Sequence, residues 1–187
     1  MVESGGAPAV GEEIPDLPVI IGRGQPDEVQ SVAHSRVTMT QLMSPQDTNL
    51  FGSVFGGVIL ALVDKIAYVS ATRHAGCPCT TVSFDQVDFN SPIQIGEIVT
   101  LEASVGTVGR TSIGVGVRVF AENVQGGLRR ETNVCFVTMV AIDENRRPVS
   151  VPRLRLETQE EYGLFLEGEF RREARHELER RRDSRRK

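Results

Sequence analysis

The residues best suited to chemistry are one acid, Asp64, and a glycine pair, Gly56-Gly57, which ends seven residues before it. Asp64 interrupts the most apolar stretch of the chain, residues 58–71, in which only two other residues are polar. An uncompensated carboxylate is costly to bury, so this one must be neutralised, paired or used in a reaction. We therefore consider two roles for Asp64: a catalytic base, or a structural acid bonded to a hydroxyl or a helix N-terminus.

The glycine pair begins the helix that contains Asp64. The first N–H groups of a helix have no partner within it, and they lie at the positive end of its dipole. They can therefore hold an anion, or a carbonyl oxygen that gains negative charge during a reaction. Glycine favours this use because a side chain would keep a substrate carbonyl away from the backbone. Close packing of the helix against a sheet is the alternative explanation for the pair.

The separation of Gly57 and Asp64 limits how they can cooperate. At 1.5 Å per residue they are about 10 Å apart along the helix axis. An attacking water must stand about 3 Å from both its base and the electrophilic carbon. One helix is thus poorly placed to supply both groups to one carbonyl, and two chains related by a two-fold axis would do so more simply. If Asp64 is catalytic, the sequence predicts a dimer with composite sites.

Other catalytic motifs are absent. The sequence contains no Gly-x-Ser-x-Gly elbow, no dinucleotide-binding glycine motif and no P-loop. The three histidines, His34, His74 and His176, are scattered, and we expect His34 to be a surface or core-edge residue. The segment Cys77-Pro78-Cys79 lacks the spacing of a zinc or redox motif, so we expect it to connect a helix to a strand. No metal site is predicted.

Hydrophobic periodicity indicates the elements that position these residues. It predicts a first strand over residues 32–42, a loop over 44–49, and a buried helix from about Gly57 to about His74, closed by Gly76 and Pro78. Four β segments follow, over residues 80–90, 97–108, 111–123 and 129–143, with a hairpin turn at Gly109-Arg110. This order predicts an α+β fold in which a curved antiparallel sheet wraps a long buried helix. It argues against a doubly wound α/β fold, in which helices and strands alternate.

The chain divides into three parts. Residues 1–26, rich in Gly, Pro and acids, are predicted to be a flexible arm, and residues 27–154 form the main domain. Residues 155–187 are predicted to be a charged C-terminal helix, whose interleaved acids and bases favour a solvated helix over a polyanion-binding one. Four apolar residues could dock this helix onto the domain or a neighbour: Leu164, Phe165, Leu166 and Phe170.

Composition excludes several classes of partner. The net charge of -4 gives no reason to expect nucleic acid, and no apolar run approaches the roughly 20 residues of a membrane span. The three cysteines are odd in number and unlike a disulfide framework, and the N-terminus lacks the pattern of a secretory signal. We therefore expect a reducing cytoplasm.

Several motifs together resemble the hotdog-fold acyl-CoA thioesterases, specifically the bacterial and cytosolic acyl-CoA hydrolase branch. The matching stretch runs from Pro45 to Gly57, including Asp47-Thr48-Asn49 and Phe55-Gly56-Gly57, and continues to Asp64. Supporting matches are residues 87–92, 108–112 and 151–152. The resemblance covers about residues 30 to 154.

The resemblance implies a hotdog fold and the hydrolysis of acyl-CoA to CoA and a carboxylic acid. It implies that Asp64 is the general base or nucleophile, that Asn49 helps to position the water or thioester, and that Gly57 polarises the thioester carbonyl. No cofactor is implied, because CoA is part of the substrate. The resemblance also implies a homodimer assembled into a trimer of dimers, a homohexamer, with sites at the dimer interface.

Further substrate contacts are implied for Phe55, Gly56, Arg110, Thr111 and Ser112. The last three form a hairpin that matches a CoA-contacting region, where Arg110 would meet a phosphate. The chain departs from many relatives at Phe55, where they have histidine, and at Ser91, where they have a basic or large residue.

Two other functions fit parts of the pattern. A non-catalytic protein that binds or senses acyl-CoA would keep the fold, although the presence of both Asn49 and Asp64 argues against it. An enoyl-CoA hydratase would need an Asp–His pair, and only His74 follows the Asp64 helix closely. Acyl-CoA hydrolysis is therefore the predicted function.

Overall fold

The helix that carries Asp64, α2 (Gly56–Ala75), packs against one face of a curved five-stranded antiparallel sheet. The structure, a computed structural model, describes residues 16–85 and 87–184. Its other elements are β1 (Val19–Ile21), β2 (Gln25–Ser31), α1 (Val32–Ser35), β3 (Val37–Leu42), β4 (Cys79–Phe84), β5 (Glu97–Val108), β6 (Ser112–Asn123), β7 (Arg129–Ala141), β8 (Pro152–Leu156) and α3 (Gln159–Ser184). The predicted α+β arrangement is confirmed.

The sheet has the strand order β3-β5-β6-β7-β4, and alternate residues of its long central strands form a buried layer beneath α2. Val115 in β6 pairs with Val105 in β5 and with Val137 in β7, and all three are fully buried. The predicted period-two pattern of these strands is thereby confirmed. Each aliphatic side chain of this size contributes about 1.5–3 kcal/mol when buried, so the layer is a main source of stability.

Helix α2 begins and ends close to where the sequence predicted. It is followed by Gly76, whose φ of 69° is a left-handed conformation that favours glycine. The N–H of Gly76 donates to the carbonyl oxygen of Thr72 at 2.9 Å and so closes the last turn.

One side of α2, which we call the open stripe, is not covered by the other residues that the structure describes. The prediction of a helix buried on every face is therefore wrong for the single chain. The stripe consists of half-buried or exposed residues, Gly57, Ala61, Asp64, Lys65 and Tyr68. They recur mostly at intervals of three and four, so they share one side of the helix. A side of α2 with small and aromatic residues and two charged ones, Asp64 and Lys65, is therefore presented outward.

Two predicted strands are shorter than the sequence pattern indicated. Residues 32–35 form the helical turn α1, because the hydroxyl oxygen of Ser31 accepts a hydrogen bond from the N–H of His34 at 3.4 Å and caps the turn. The strand predicted over residues 80–90 ends at Phe84, after an irregularity in its pairing with β7.

A second sheet, which the sequence did not predict, has the order β1-β8-β2. Strand β8 pairs antiparallel with β1 and parallel with β2, and Leu154 and Leu156 of β8 are buried in the same core as α2. The predicted arm therefore contains β1 and the start of β2, whereas its residues 1–15 lie outside the described part. Strands β2 and β8 also cross the domain limits expected at residues 26 and 154.

Helix α3 lies on the outer face of the five-stranded sheet, opposite α2. Leu164 packs so closely on Gly106 of β5 and Gly116 of β6 that an added Cβ at either glycine would meet its side chain. Leu164 and Phe165 thus dock the helix as predicted, whereas Phe170 is 70% exposed.

The second half of α3 is tied to the edge of the sheet by Arg175. Its Nη1 donates to the hydroxyl of Thr138 in β7 at 2.6 Å and to the hydroxyl of Ser83 in β4 at 3.1 Å. The same nitrogen lies 3.1 Å from a carboxylate oxygen of Asp85. Within the described residues, no helix is both long and apolar enough to cross a membrane.

Candidate active site

The loop before α2 is closed by hydrogen bonds of its own. Ser44 donates from its N–H and its hydroxyl to Oδ2 of Asp47, at 2.8 and 2.6 Å. These bonds lower the pKa of Asp47 and keep its carboxylate ionised. The N–H of Phe55 donates to the carbonyl oxygen of Asp47, and the N–H of Val54 to that of Ile93, both at 2.8 Å. The end of the loop is therefore held where the helix begins.

The side chain of Asn49 holds this loop from within. Its Oδ1 accepts from the N–H groups of Phe51, at 2.8 Å, and Ser53, at 3.2 Å, and its Nδ2 donates to the hydroxyl of Ser53 at 2.8 Å. A side-chain amide nitrogen has two hydrogens, so one remains for a substrate or a water. In the single chain Asn49 thus has a structural role that the sequence did not predict, and its expected role in positioning the water or thioester stays a prediction.

The N-terminus of α2 presents unoccupied donors. In the part of the chain that the structure describes, the N–H groups of Gly56 and Gly57 have no hydrogen-bond acceptor, and Phe55 provides no side-chain cap. The rings of two aromatic residues cover these glycines: an added Cβ would meet Phe55 at Gly57 and would lie 3.2 Å from the ring of Phe89 at Gly56. These donors and rings can hold a carbonyl oxygen and the adjacent apolar chain.

A cleft of about 340 Å³ opens beside this N-terminus. Its lining residues are Ser53, Val54, Gly56, Ile59, Phe89, Ser91, Pro92 and Ile93. Arg130 braces one wall: Nη2 donates to the carbonyl oxygen of Pro92 at 2.8 Å, and the two Nη atoms reach Oε1 and Oε2 of Glu97 at 2.6 and 2.8 Å. The wall that includes Ser91 is therefore fixed by an ion pair between buried Glu97 and half-buried Arg130.

Asp64 meets a hydroxyl across the interface between α2 and the sheet. Oγ1 of Thr81 in β4 donates to Oδ1 of Asp64 at 2.6 Å. Among the residues that the structure describes, Oδ2 of Asp64 has no hydrogen-bond partner, and the residue is only half-buried. A carboxylate that is held by one oxygen and open at the other can accept a proton from water or attack an electrophile.

Thr81 was missed by the sequence interpretation. Its neighbours in β4, Thr80 and Val82, are exposed, whereas Thr81 is half-buried. The side chain of Thr81 therefore lies on the opposite face of the strand, toward α2. A polar residue at an inward-facing position needs a hydrogen-bond partner. Thr81 is such a residue in the strand that follows the Asp64 helix, and this could have identified it as a partner of Asp64.

The hairpin residues expected to contact CoA lie away from the glycine pair of the same chain. Arg110 and Thr111 form the tip between β5 and β6, where the N–H of Gly109 donates to the carbonyl oxygen of Ser112 at 2.8 Å. The loop before α2 contacts the opposite end of β5, since the N–H of Met43 donates to the carbonyl oxygen of Glu97. One chain therefore does not bring the hairpin and the helix N-terminus together.

Comparison with known proteins identifies the family. The sequence profile of the Thioesterase superfamily matches residues 51–127. An acyl-CoA thioester hydrolase of Bacillus subtilis, YkhA, described as uncharacterized, is 40% identical over 137 residues, which are 73% of this chain and 80% of the relative. The chain belongs to the hotdog-fold acyl-CoA thioesterases.

Solved structures of this thioesterase family share the fold. The crystal structure of an apo-hexameric acyl-CoA thioesterase has a TM-score of 0.78 at 40% identity and covers 81% of this chain and 97% of that one. An acyl-CoA hydrolase of Staphylococcus aureus, solved with butyryl-CoA, CoA and CoA disulfide, has a TM-score of 0.77 at 32% identity and covers 84% and 95%.

The Staphylococcus aureus hydrolase has also been solved with single alanine replacements of an asparagine, an aspartate and a threonine. Their order and spacing along that chain are the same as those of Asn49, Asp64 and Thr81 in this thioesterase. The threonine in that set corresponds to the hydroxyl donor that the structure reveals beside Asp64.

Proposed function

We propose that this thioesterase hydrolyses acyl-CoA to CoA and a carboxylic acid, with Asp64 as the general base or nucleophile. The observation that carries the proposal is the hydrogen bond from Thr81 to Oδ1 of Asp64, which orients the carboxylate and leaves Oδ2 open. The alanine replacements chosen in the Staphylococcus aureus hydrolase support the same set of residues. That hydrolase was solved with butyryl-CoA and CoA, which supports a CoA thioester as substrate.

In the proposed reaction, the N–H of Gly57 donates to the thioester carbonyl oxygen. Asp64 takes a proton from water as the water oxygen bonds to the carbonyl carbon, and the N–H of Gly57 holds the oxyanion that forms. Collapse of this intermediate breaks the C–S bond, and CoA leaves as a thiolate that takes up a proton. The free amide hydrogen of Asn49 orients the water or the thioester. No metal or bound cofactor enters the reaction.

Direct attack by Asp64 is the second form of the same mechanism. The carboxylate oxygen would then bond to the carbonyl carbon, release CoA and form an anhydride, which water cleaves to regenerate Asp64. Thr81 serves both forms, because it fixes the orientation of the carboxylate.

We further propose that the site is composite and that two chains form it. The axial separation of about 10 Å between Gly57 and Asp64 favours donors and base from different chains. The open stripe of α2 and the exposed edge of β4 provide apolar surface and unpaired backbone groups for a second chain. The hairpin at Arg110, which is remote from Gly57 of its own chain, could then reach a CoA bound by the partner. A hexameric relative supports a trimer of such dimers.

We retain the expectation of a reducing cytoplasm for this thioesterase. All three cysteines, Cys77, Cys79 and Cys135, are free. Burial raises the pKa of both Cys79 and Cys135 to about 11, so these thiols stay protonated and unreactive at neutral pH.

The proposal is tested by release of free thiol from acyl-CoA. Asp64→Ala and Asp64→Asn should each lower kcat by a factor of about 10³ or more, because each removes the proposed base. Glu144→Gln, which removes an exposed acid in the turn after β7, is the control and should keep wild-type turnover. A panel from acetyl-CoA to palmitoyl-CoA would define the acyl chain. Tight binding of every acyl-CoA without thiol release would instead support the non-catalytic sensor.

A further inference from the structure

A groove of about 630 Å³ runs along α3 at the edge of the sheet. Its wall includes Phe170, Ala174 and Leu178 of α3, and its floor includes Phe84, the last residue of β4, and Asp85. Phe170 is 70% exposed, Leu178 57% and Phe84 38%. Large apolar side chains that are exposed side by side mark a surface for another protein.

A stripe of α3 with a symmetric pattern runs along this groove, and we call it the α3 seam: Glu167, Phe170, Ala174, Leu178 and Arg181. The first four line the groove, and Arg181 follows three residues after Leu178. Steps of three and four residues place its members on one side of the helix. Phe170 and Leu178 lie four residues to either side of Ala174, and Glu167 and Arg181 lie seven residues to either side. An antiparallel copy of the helix centred on Ala174 would therefore set apolar against apolar and acid against base.

Charges beside the seam follow the same symmetry. Arg171 pairs with Glu167 at 2.8 Å, and Arg181 pairs with Glu177 at 2.7 Å, one turn apart in each case. Arg171 and Glu177 are each three residues from Ala174, so antiparallel pairing would also set them opposite each other. Arg181 lies in the last turn of α3, where the helix dipole also favours a base, whereas Arg171 and Glu177 lie further inside the helix.

Ala174 lies where a second chain would approach. Its neighbour Arg175 bonds to Ser83 of β4, the edge strand of the five-stranded sheet. The nine residues that follow Arg175 extend α3 about 13 Å beyond that contact. A small residue at this point allows two helix axes to come close.

We propose that the α3 helices of two chains pair antiparallel in this groove and cross at Ala174 on the two-fold axis. Phe170 of each chain contacts the partner's Leu178, and Glu167 of each chain pairs with the partner's Arg181. The pairing rests on the dimer of the proposed function and adds a second interface to it, on the face of the sheet opposite α2.

Thiol crosslinking tests the pairing without using the reaction. Ala174→Cys should give a covalent dimer on mild oxidation or with a short thiol crosslinker, because a residue on a two-fold axis faces itself. The variants are made in a Cys77→Ser background, because Cys77 is only half-buried whereas Cys79 and Cys135 are buried. Glu173→Cys, exposed on another side of α3, is the matched control and should stay monomeric on a denaturing gel, as should the Cys77→Ser parent. Co-expressed Phe170→Cys and Leu178→Cys chains should crosslink to each other.

Equal crosslinking of Ala174→Cys and Glu173→Cys, or none from Ala174→Cys in a dimeric sample, would overturn the pairing. Thiol release from acyl-CoA is measured on the same samples. A crosslinked dimer that binds but does not hydrolyse acyl-CoA would overturn the proposed function and leave the pairing intact.

A charge exchange tests the register. Glu167→Arg and Arg181→Glu should each raise the dimer dissociation constant, by roughly two- to five-fold, and the double variant should recover most of the loss. The two positions are about 21 Å apart on one helix, so they cannot repair each other within a chain. If the double variant raises the dissociation constant by the product of the two single increases, the proposed register is contradicted.

Discussion

Thr81 Oγ1 lies 2.6 Å from Asp64 Oδ1 and donates a hydrogen bond to it across the interface between β4 and α2. This bond leaves Oδ2 free among the described residues, so the hydroxyl fixes the direction in which the carboxylate can act. The two residues therefore form the core of the proposed base.

Replacing Thr81 should show whether its hydroxyl orients the Asp64 carboxylate for the reaction or contributes to substrate binding. Thr81→Val keeps the side-chain volume and removes the donor, so kcat should fall by about 10- to 100-fold while KM changes little. Thr81→Ser keeps the hydroxyl and should recover most of the turnover. Steady-state kinetics of thiol release measures both, and wild-type kcat for Thr81→Val would show that the bond has no catalytic role.

The N–H of Gly57 can be removed in a variant whose added side chain is matched by a control. Gly57→Pro eliminates the donor, and proline is tolerated in the first turn of a helix. Gly57→Ala is the matched control, because it keeps the N–H and adds the same Cβ contact with the movable ring of Phe55. We expect kcat of Gly57→Pro to be about 10²-fold below that of Gly57→Ala. Equal values in the two variants would exclude this N–H as an oxyanion donor.

The ion pair between Glu97 and Arg130 should make stability depend on acid pH. Hydrogen bonds from Arg130 lower the pKa of Glu97 below its ordinary value of 4.5, so the folded state binds fewer protons than the unfolded state. The ion pair therefore contributes its full share to the free energy of unfolding above pH 4.5, and this contribution is lost as the pH falls through the pKa of Glu97 in the folded state. Glu97→Gln should lower the free energy of unfolding by about 2 kcal/mol at pH 7, because it leaves Arg130 without its charge partner.

Urea unfolding of the wild type and Glu97→Gln at pH 7 and pH 3 measures this effect. The difference between the two proteins should shrink at the lower pH, where Glu97 begins to be protonated in the wild type as well. A difference that is the same at both pH values would show that the charge of Glu97 does not contribute.

His74 should make stability fall below neutral pH. Its Nε2 donates to the carbonyl oxygen of Pro152 at 3.0 Å, and burial lowers the pKa of its ring below 6.5. The unfolded state therefore binds a proton first, and the free energy of unfolding should decrease as the pH drops through 6.5. His74→Gln can keep a donor to Pro152 and cannot titrate, so its stability between pH 7 and pH 5.5 should be flatter, as measured by thermal unfolding.

Long elements with strong periodicity could be predicted from the sequence. Helix α2 and strands β5, β6 and β7 lie within about two residues of their predicted limits, because each buries one repeated pattern against a single core. Val115 and Val137 show this: local alternation alone places both in the buried layer.

Short and non-local elements could not be predicted. Strand β8 is only five residues long and joins β1 and β2, which are more than 100 residues away, so its pattern is too short to be distinguished from a loop. The turn at Val32 depends on a hydroxyl cap from Ser31, which competes with the strand pattern that follows.

The candidate site shows the same division. Asp64 stands out in the sequence because an acid is unexpected in an apolar helix. Gly57 stands out because a glycine leaves the backbone at the start of that helix uncovered. Thr81 did not, since its role depends on the tertiary contact that brings β4 against α2. The bonds from Asn49 to its own loop were also invisible, because they depend on the turn that Gly52 makes with a φ of 83°.

The central claim, that Asp64 serves the carbonyl held by the partner's Gly57, is tested most directly by mixing two inactive chains. Asp64→Ala and Gly57→Pro chains are co-expressed with different tags, and mixed dimers are purified through both tags before thiol release is measured. Each mixed dimer has one intact composite site, so activity should return to about half of the wild-type value per dimer. Mixed dimers that stay as inactive as their parents would contradict the composite site and place base and donors in one chain.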